Sequence, residues 1–251
     1  MTRRPLTLIH TSDIHLGASA REPNLHILRA VVAATVEARA DALLLAGDIF
    51  DHNRVGRGLI DDVIETFADA HVPTVILPGN HDCLVEGGVY ERGDFAAAGV
   101  SVLGLDGGEL APLHELGLTA WGRAHRDYLD QVPLAGAPDF DPANWRIALA
   151  HGHLVQRPED EHRAYQIRAE DIELSGAQYV ALGHWDVYTE VAKGRAFYSG
   201  SPLYSGTVNI IRLENNQPAE VTRLPVDSPS PGREINDSPG RGGQGGEVSG
   251  K

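Results

Sequence analysis

The sequence contains little cysteine, a deficit of basic charge and no long hydrophobic run. A single Cys among 251 residues excludes an internal disulfide framework and a cysteine-rich zinc site. The formal net charge of −14, from 21 Lys+Arg against 35 Asp+Glu, argues against binding of nucleic acid mainly through a basic face. The first apolar run, residues 6–9, is too short for a signal peptide or a membrane span, and no stretch of 18 apolar residues occurs elsewhere. We therefore expect a cytoplasmic protein that does not associate with a membrane.

The composition suits one mid-sized folded domain followed by a tail. Hydrophobic residues make up 42% of the chain, which excludes global disorder. Residues 228–251 contain seven Gly, three Pro and four Ser, and such a segment buries too little apolar surface to offset its ordering entropy. We predict a catalytic domain over residues 1–227 and a flexible Gly/Pro/Ser-rich tail over 228–251. Acidic and basic residues balance in the tail, so the net charge belongs to the domain.

Short apolar runs alternate with amphipathic segments in the first third of the chain. Strands are predicted at 6–11, 42–46 and 72–77, with helices over 24–40 and 58–70 between them. This strand-helix-strand-helix-strand order favours three parallel strands. The second half predicts a further mixed sheet, and its candidate strands are 100–103, 118–121, 146–150, 179–183, 188–191, 196–199, 208–213 and 221–224.

Side chains that can bind metals follow five of the predicted strands. They are Asp13 and His15, Asp48 and Asp51, Asn80 and His81, His151 and His153, and His184 and Asp186. Because the carboxyl ends of strands in an open α/β sheet meet at one crevice, we expect these side chains to converge. Glycines at 47, 79 and 183 permit sharp exits from the strands.

A lone Asp at a strand end is usually a turn or cap residue, and a lone His is more often a satisfied residue than a ligand. The histidines interpreted in this way are His10, His26, His71, His114 and His162. Five polar strand ends in this order are hard to assign to chance. The sequence therefore indicates one metal-binding crevice.

These segments resemble the motifs of the calcineurin-like metallophosphoesterase family, over roughly residues 7–205. That family carries Asp-x-His, Gly-Asp-x-x-Asp, Gly-Asn-His-Asp/Glu, a later His and Gly-His-x-His. Residues 10–17, 47–52 and 198–202 are most similar to its branch of DNA-repair exonucleases, which includes the SbcD-type nucleases. The resemblance implies an α/β fold, a four-layer αββα sandwich of two mixed β-sheets flanked by helices.

The resemblance also implies two divalent metal ions that share one carboxylate. One ion would bind Asp13, His15, Asp48 and Asp186, and the other would bind Asp48, Asn80, His151 and His184. We expect Mn²⁺, with Fe, Zn or Mg as alternatives. Asp186 stands where the family has a His. We favour direct or water-bridged ligation by Asp186, because a carboxylate is a competent ligand; the alternative is that water takes that position.

The same motifs imply catalytic roles for His81 and Asp51. In the family a metal-bound hydroxide attacks phosphorus, and His81 would protonate the leaving group or stabilise the phosphoryl charge. Asp51 would orient His81. Arg54 directly follows the second motif and is a candidate for binding substrate phosphate. His52 and His153 suit either substrate contact or a supporting or solvated role.

Three neighbouring residues have open roles. Asp82 is either part of the site or a loop-capping residue. Arg123 and His125 follow a predicted strand at the same rim, and they suit either phosphate contact or a surface position.

From the resemblance we expect hydrolysis of phosphodiester bonds, in nucleic acid ends or in small nucleotide diesters. A broad-range phosphomonoesterase is one alternative, and a non-catalytic metal-binding scaffold of the same fold is another. The presence of His81 and Asp51 disfavours the scaffold, whereas Asp186 slightly favours it. An ATPase partner is expected by analogy only. The oligomeric state cannot be inferred from the sequence.

Overall fold

The computed structural model describes residues 2–19, 24–105 and 108–226. The predicted tail over 228–251 lies outside the described residues, so the domain boundary near 227 stays a prediction. In the three described ranges, no helix is long and apolar enough to cross a lipid bilayer.

Strands and helices alternate first and strands dominate afterwards. The strands are β1 (Leu6–Thr11), β2 (Ala42–Ala46), β3 (Thr74–Leu77), β4 (Val100–Val102), β5 (Leu110–Leu113), β6 (Leu118–Trp121), β7 (Trp145–His151), β8 (His153–Leu154), β9 (Gln166–Ile167), β10 (Tyr179–Gly183), β11 (Thr189–Val191), β12 (Ala196–Tyr198), β13 (Thr207–Leu213) and β14 (Glu220–Pro225). The α-helices are α1 (Leu25–Glu37), α2 (Arg57–Ala70), α3 (Ala169–Leu174) and α4 (Pro202–Ser205).

The first sheet has the strand order β14-β13-β1-β2-β3-β4. β1 to β4 are parallel, as predicted for the first three, and β13 and β14 add antiparallel strands at the β1 side. Side chains of β2 alternate between two apolar layers, because successive residues of a strand point to opposite faces. Leu43 and Leu45 pack in a core with residues of α1 and α2. Leu44 packs in a second core, against the other large sheet.

The second sheet has the order β11-β12-β10-β7-β6-β5 and is also mixed. Its four central strands are parallel, and β5 and β11 are antiparallel edges. Ile172 of α3 packs on the face that points away from the first sheet, in a core with Ala148 and Val180. Helices, two packed sheets and a further helical layer follow one another. The four-layer αββα sandwich is therefore confirmed.

Three strands of the second half belong to the first sheet, although a local pattern cannot show this. β4 pairs with β3, and β13 returns to pair with β1, where Leu6 lies opposite Leu213. β5 was not expected, because it contains Pro112, a residue that sheets accept mainly at an edge. β3 begins at Thr74 rather than two residues earlier, directly after Pro73, which has no N–H to donate.

Candidate metal centre

The loops that follow β1 and β2 run side by side and are joined by backbone hydrogen bonds. The N–H of Asp13 donates to the carbonyl of Gly47 at 3.0 Å, and the N–H of His15 donates to the carbonyl of Asp48 at 3.1 Å. Asp13, His15 and Asp48 have φ angles of 56°, 52° and 54°, in the left-handed region that few residues other than glycine adopt. Strain of this kind persists only where surrounding contacts enforce it, and it is concentrated at functional sites.

Glycines let the two sheets approach each other at this edge. Gly47 has a φ of +93°, and a Cβ atom there would collide with the His151 ring. A Cβ atom on Gly183 would collide with the carbonyl oxygen of Ala46. Of these two glycines, Gly47 provides a left-handed exit from its strand, whereas Gly183 is required because it has no Cβ atom. The strand ends of both sheets thus share one crevice.

Two clusters of ligand side chains meet at Asp48. The outer cluster consists of His15, Asp48 and His81, and the inner cluster consists of Asp48, His151 and His184. Within each cluster the ligand atoms all lie within 4.8 Å of one another. Asp48 is 2% exposed and is the carboxylate common to both. One carboxylate between two ligand sets is the arrangement that a pair of bridged metal ions requires.

In the inner cluster a hydrogen bond fixes the orientation of the His151 ring. Its Nδ1 donates to the carbonyl of Ala46 at 2.9 Å, so that Nε2 is the free ligand atom. Nε2 lies 3.2 Å from Oδ2 of Asp48 and 3.0 Å from Oδ1 of Asn80. An imidazole nitrogen, a carboxylate oxygen and an amide oxygen thus converge, and this donor set fits a divalent cation such as Mn²⁺.

In the outer cluster Asp51 orients two histidines. Its Oδ1 lies 3.1 Å from Nδ1 of His15 and 3.8 Å from Nδ1 of His81. The Nδ1 of His81 also donates to the Asp51 carbonyl at 2.9 Å. The His81 N–H donates to Oδ1 of Asp48 at 2.9 Å, which fixes the loop after β3. The sequence suggested the contact of Asp51 with His81 but missed its contact with His15.

Asp13 and Asp186 lie differently from the other expected ligands. Asp13 is buried at the crevice, and its Oδ2 accepts a hydrogen bond from the His184 N–H at 3.0 Å. Asp186 is exposed, and its backbone carbonyl accepts the N–H of Ser201 at 3.2 Å. Neither carboxylate belongs to the two clusters found among the described residues. The ligand role of Asp186 therefore stays a prediction.

The buried charges of the crevice strongly affect one another. Burial raises the pKa of Asp13 to about 6. Burial would also raise the pKa of Asp48, but the neighbouring His151 imidazolium outweighs this effect and lowers it. Burial disfavours the charged form of His151, yet Asp48 raises its pKa to about 9. Burial, and then His151, lowers the pKa of His184 to about 4. A metal cation would replace the proton that His151 and Asp48 share.

Comparison with known proteins agrees with this geometry. The sequence model described as calcineurin-like phosphoesterase matches residues 6–207. The chain belongs to the calcineurin-like phosphoesterase family. Membership implies a hydrolase that depends on two metal ions, and the clusters around Asp48 supply candidate ligands.

Two relatives show how far the similarity of this calcineurin-like phosphoesterase extends. It is 30% identical over 84 residues to the DNA double-strand break repair protein Mre11 of Aeropyrum pernix. That match covers 30% of this chain and 20% of the relative, so the chain spans about a fifth of the relative's length. The crystal structure of TT1561 of Thermus thermophilus superposes with a TM-score of 0.61, 14% identity, and coverage of 88% of this chain and 99% of that one. The latter likeness concerns the fold alone.

Asp82 of this phosphoesterase ties together the loops that carry the clusters. Its Oδ2 accepts hydrogen bonds from the N–H groups of Ile49 and Phe50 at 2.8 and 3.1 Å, and from the Tyr90 hydroxyl at 2.6 Å. Its Oδ1 accepts the Gly79 N–H at 2.7 Å. The carboxylate is fully buried, and both of its oxygens are occupied by these donors. The contacts therefore support the loop-capping interpretation of Asp82.

His125 supports the centre from behind. It is buried, which excludes the surface position considered from the sequence. Its Nε2 donates to the carbonyl of His151 at 2.9 Å, and its ring packs on Tyr165 with 4.5 Å between ring centroids. Tyr165 also lies edge-on to His184, at 6.2 Å between centroids. No sequence pattern marked Tyr165, because it lies in an irregular segment remote from every motif.

A cleft of about 550 Å³ opens beside the outer cluster. The residues that line it are Asp51, His52, Asn53, Arg54, Asn80, His81 and Tyr128. Arg54 and His52, the predicted substrate contacts, therefore lie beside His81. His153 does not line this cleft: its Nδ1 accepts a hydrogen bond from the Trp185 indole at 3.2 Å, and its Nε2 lies 3.6 Å from Asp160. Sequence reasoning missed Tyr128.

Proposed function

We propose that this protein is a dinuclear-metal phosphodiesterase. The observation that carries the proposal is the position of Asp48, whose carboxylate belongs to both ligand clusters. Phosphoryl transfer requires stabilisation of negative charge on both the attacking and the leaving oxygen, and paired cations are suited to this task. A single structural metal would not need a second set of histidines on the open side of the same carboxylate.

The two metals would be held by the residues inferred from the motifs. Asp48, Asn80, His151 and His184 would hold the inner ion, and Asp13, His15, Asp48 and Asp186 would hold the outer one. The mixture of carboxylate, amide and imidazole donors favours Mn²⁺. When bound, the two ions would supply a water nucleophile that is ionised at neutral pH and would neutralise the phosphoryl oxygens.

His81 is the proposed general acid. Its Nδ1 is engaged by the backbone carbonyl of Asp51, so Nε2 is the atom left to hold and release a proton. The ring lines the open cleft, where a leaving group would have room. An imidazole transfers protons well near neutral pH, and Asp51 keeps this one in a fixed orientation.

Two observations support a diester rather than a monoester. The cleft continues past His81 to Arg54 and Tyr128, which leaves space for a second group on phosphorus. One relative, similar over part of the chain, is described as a DNA double-strand break repair protein. Nucleic acid ends and small nucleotide diesters are accordingly the proposed substrates. A cytoplasmic location and an ATPase partner belong to the same proposal.

A panel of three substrates tests this function. Metal-free protein, prepared with EDTA and then supplied with Mn²⁺, would be assayed on bis-p-nitrophenyl phosphate, p-nitrophenyl phosphate and single-stranded DNA. We expect Mn²⁺-dependent hydrolysis of the first, with the second turned over much more slowly. Preference for the monoester would support the phosphomonoesterase instead. No turnover with full metal occupancy would indicate the non-catalytic scaffold.

A further inference from the structure

We propose that Tyr128, together with Arg54 and His52, forms a nucleoside-binding subsite for the leaving group. The inference rests on the proposed phosphodiesterase function and adds to it the residues that would bind the leaving group. Because His81 would give its proton to the leaving oxygen, the leaving group must lie beside His81. The cleft on that side is the one lined by Tyr128 and Arg54.

Tyr128 offers an exposed aromatic ring in the cleft that His81 also lines. Tyr128 is 65% exposed although it lines a cleft of about 550 Å³. The ring is therefore available to a ligand in the cleft. Aromatic side chains bind nucleobases by stacking, irrespective of which base is present.

The wall that carries Tyr128 is fixed to the loop that carries His81. The N–H of His125 donates to the carbonyl of Pro78 at 3.3 Å, and the N–H of Leu84 donates to the carbonyl of His125 at 2.7 Å. These bonds lie on either side of His81 in the chain. They attach His125, three residues before Tyr128, to the loop that carries His81.

The opposite wall is equally well fixed and carries Arg54. Asn53 donates to the carbonyl of Cys83 at 2.9 Å and accepts the N–H of Val89 at 2.9 Å. Arg92 donates to the carbonyls of Asn53 and Val55 at 2.7 and 2.9 Å. Arg54 lies between these anchored residues and projects from an ordered backbone.

In the described part of the chain, the arginines that pair with carboxylates are Arg4, Arg57 and Arg168, and Arg54 is not among them. An unpaired guanidinium in a protein with a net charge of −14 suits a phosphate group. His52 lies at the base of the same wall, where its Nδ1 accepts the Arg54 N–H at 3.2 Å. The subsite therefore combines a stacking ring with a phosphate-binding side chain.

The reaction at this subsite would release a nucleoside or a nucleotide. A bond forms between water oxygen and phosphorus, the bond from phosphorus to the leaving oxygen breaks, and the leaving oxygen takes the proton of His81. A nucleobase on the leaving group would stack on Tyr128, and its next phosphate, when present, would meet Arg54. A methyl leaving group would reach neither residue.

Two diesters that release the same nucleotide isolate the leaving group. Dithymidine monophosphate and the methyl ester of thymidine 5′-phosphate both yield thymidine monophosphate, but the leaving groups are thymidine and methanol. We expect Tyr128→Ala to lower the ratio of their kcat/KM values about tenfold. Tyr128→Phe should keep the ratio, since it keeps the ring. Leu129→Ala is the matched control, because Leu129 is 71% exposed but does not line the cleft.

The ratio cancels any general loss of metal or of folded protein. An unchanged ratio in Tyr128→Ala would refute the proposed subsite. It would not contradict the proposed phosphodiesterase function. If the wild type hydrolysed neither diester, the proposed function would fall. The subsite would then be decided by binding of thymidine, measured by saturation-transfer NMR: loss of binding in Tyr128→Ala supports it, and equal binding in both proteins refutes it.

Discussion

Two histidines of this protein are fully buried and behave in opposite ways. His151, at the strand ends, lies 3.2 Å from the Asp48 carboxylate, and its pKa is raised to about 9. His10, within β1 in the core between the sheets, has Nδ1 2.8 Å from the Tyr179 hydroxyl, and burial lowers its pKa to about 3. Both side chains have no accessible surface. Burial is therefore the same in the two regions, and the neighbouring carboxylate makes the difference.

This contrast separates a structural histidine from a candidate metal ligand. An imidazole buried without a carboxylate stays neutral and serves the packing of the sheets. An imidazole buried beside a shared carboxylate stabilises charge and can exchange a proton for a metal. Four substitutions test this contrast, in order of decreasing expected effect. They replace Asp48, His81, His10 and Asp186.

The largest effect is expected for Asp48→Asn, which removes the carboxylate common to both clusters. Asparagine keeps an oxygen for the His81 N–H, so the loops should stay in place while metal binding fails. We expect loss of most bound Mn²⁺ by elemental analysis and a fall in bis-p-nitrophenyl phosphate hydrolysis on the order of 1,000-fold or more. Asp62→Asn, on the exposed face of α2, is the control that should retain both. Retained metal in Asp48→Asn would show that the two clusters do not depend on this carboxylate.

His81→Ala should lose turnover while keeping metal. A positioned general acid contributes about 100- to 10,000-fold, and we expect a loss in that range with unchanged Mn²⁺ stoichiometry. The exposed His114 provides a matched replacement that should alter neither quantity. Loss of metal from His81→Ala would instead make His81 a ligand of the outer cluster, which its position beside His15 and Asp48 also permits.

His10→Gln tests the other buried histidine through the pH dependence of stability. Because burial lowers the pKa of His10 from 6.5 to about 3, the unfolded chain binds a proton between these pH values that the folded chain does not. The free energy of unfolding must therefore fall as the pH drops below 6.5. Between pH 7 and pH 5 the wild type should lose about 2 kcal/mol more than His10→Gln.

Urea unfolding in the presence of EDTA measures this difference without a contribution from metal. His114→Gln should follow the wild type, since His114 is exposed. Parallel pH profiles for the wild type and His10→Gln would mean that His10 titrates normally in the folded protein.

The smallest effect is expected for Asp186→Ala. The carboxylate is exposed and outside both clusters, so a contact with metal through water is the arrangement we favour. A water-bridged contact of this kind should weaken Mn²⁺ binding about tenfold, which a metal titration would detect. The backbone bond to Ser201 does not involve the side chain and should persist. Unchanged affinity would remove Asp186 from the ligand set.

Local patterns in the sequence were sufficient for β1 and β2 and for most of the candidate ligands. β1 and β2 have the predicted bounds, because an apolar run bounded by polar exits encodes a buried strand directly. Asp48, His151 and His184 were inferred from positions at strand ends, and the structure brings them together. Parallel strands make this possible, since all their carboxyl ends lie at one edge.

The supporting contacts could not be predicted, because each joins segments that are far apart in the chain. For Asp82 the sequence left a site role and a loop-capping role open, and four hydrogen bonds to two loops decide for the second. His125 supports the His151 carbonyl from the segment that follows β6. Neither role leaves a periodic trace in the sequence. Tyr128 likewise lines the cleft only because its segment folds back on the loop of His81.

The sequence by itself determined the ligand types, their order and the strands that carry them, because hydrophobic spacing and glycine exits act over a few residues. Only the tertiary structure decided that β13 pairs with β1 in the first sheet, that Asp51 contacts His15 as well as His81, and that Asp186 is exposed. These outcomes depend on packing between distant segments. Short stretches of sequence thus specify the candidate ligands. Contacts between distant segments specify the cleft beside them and the hydrogen bonds that hold them.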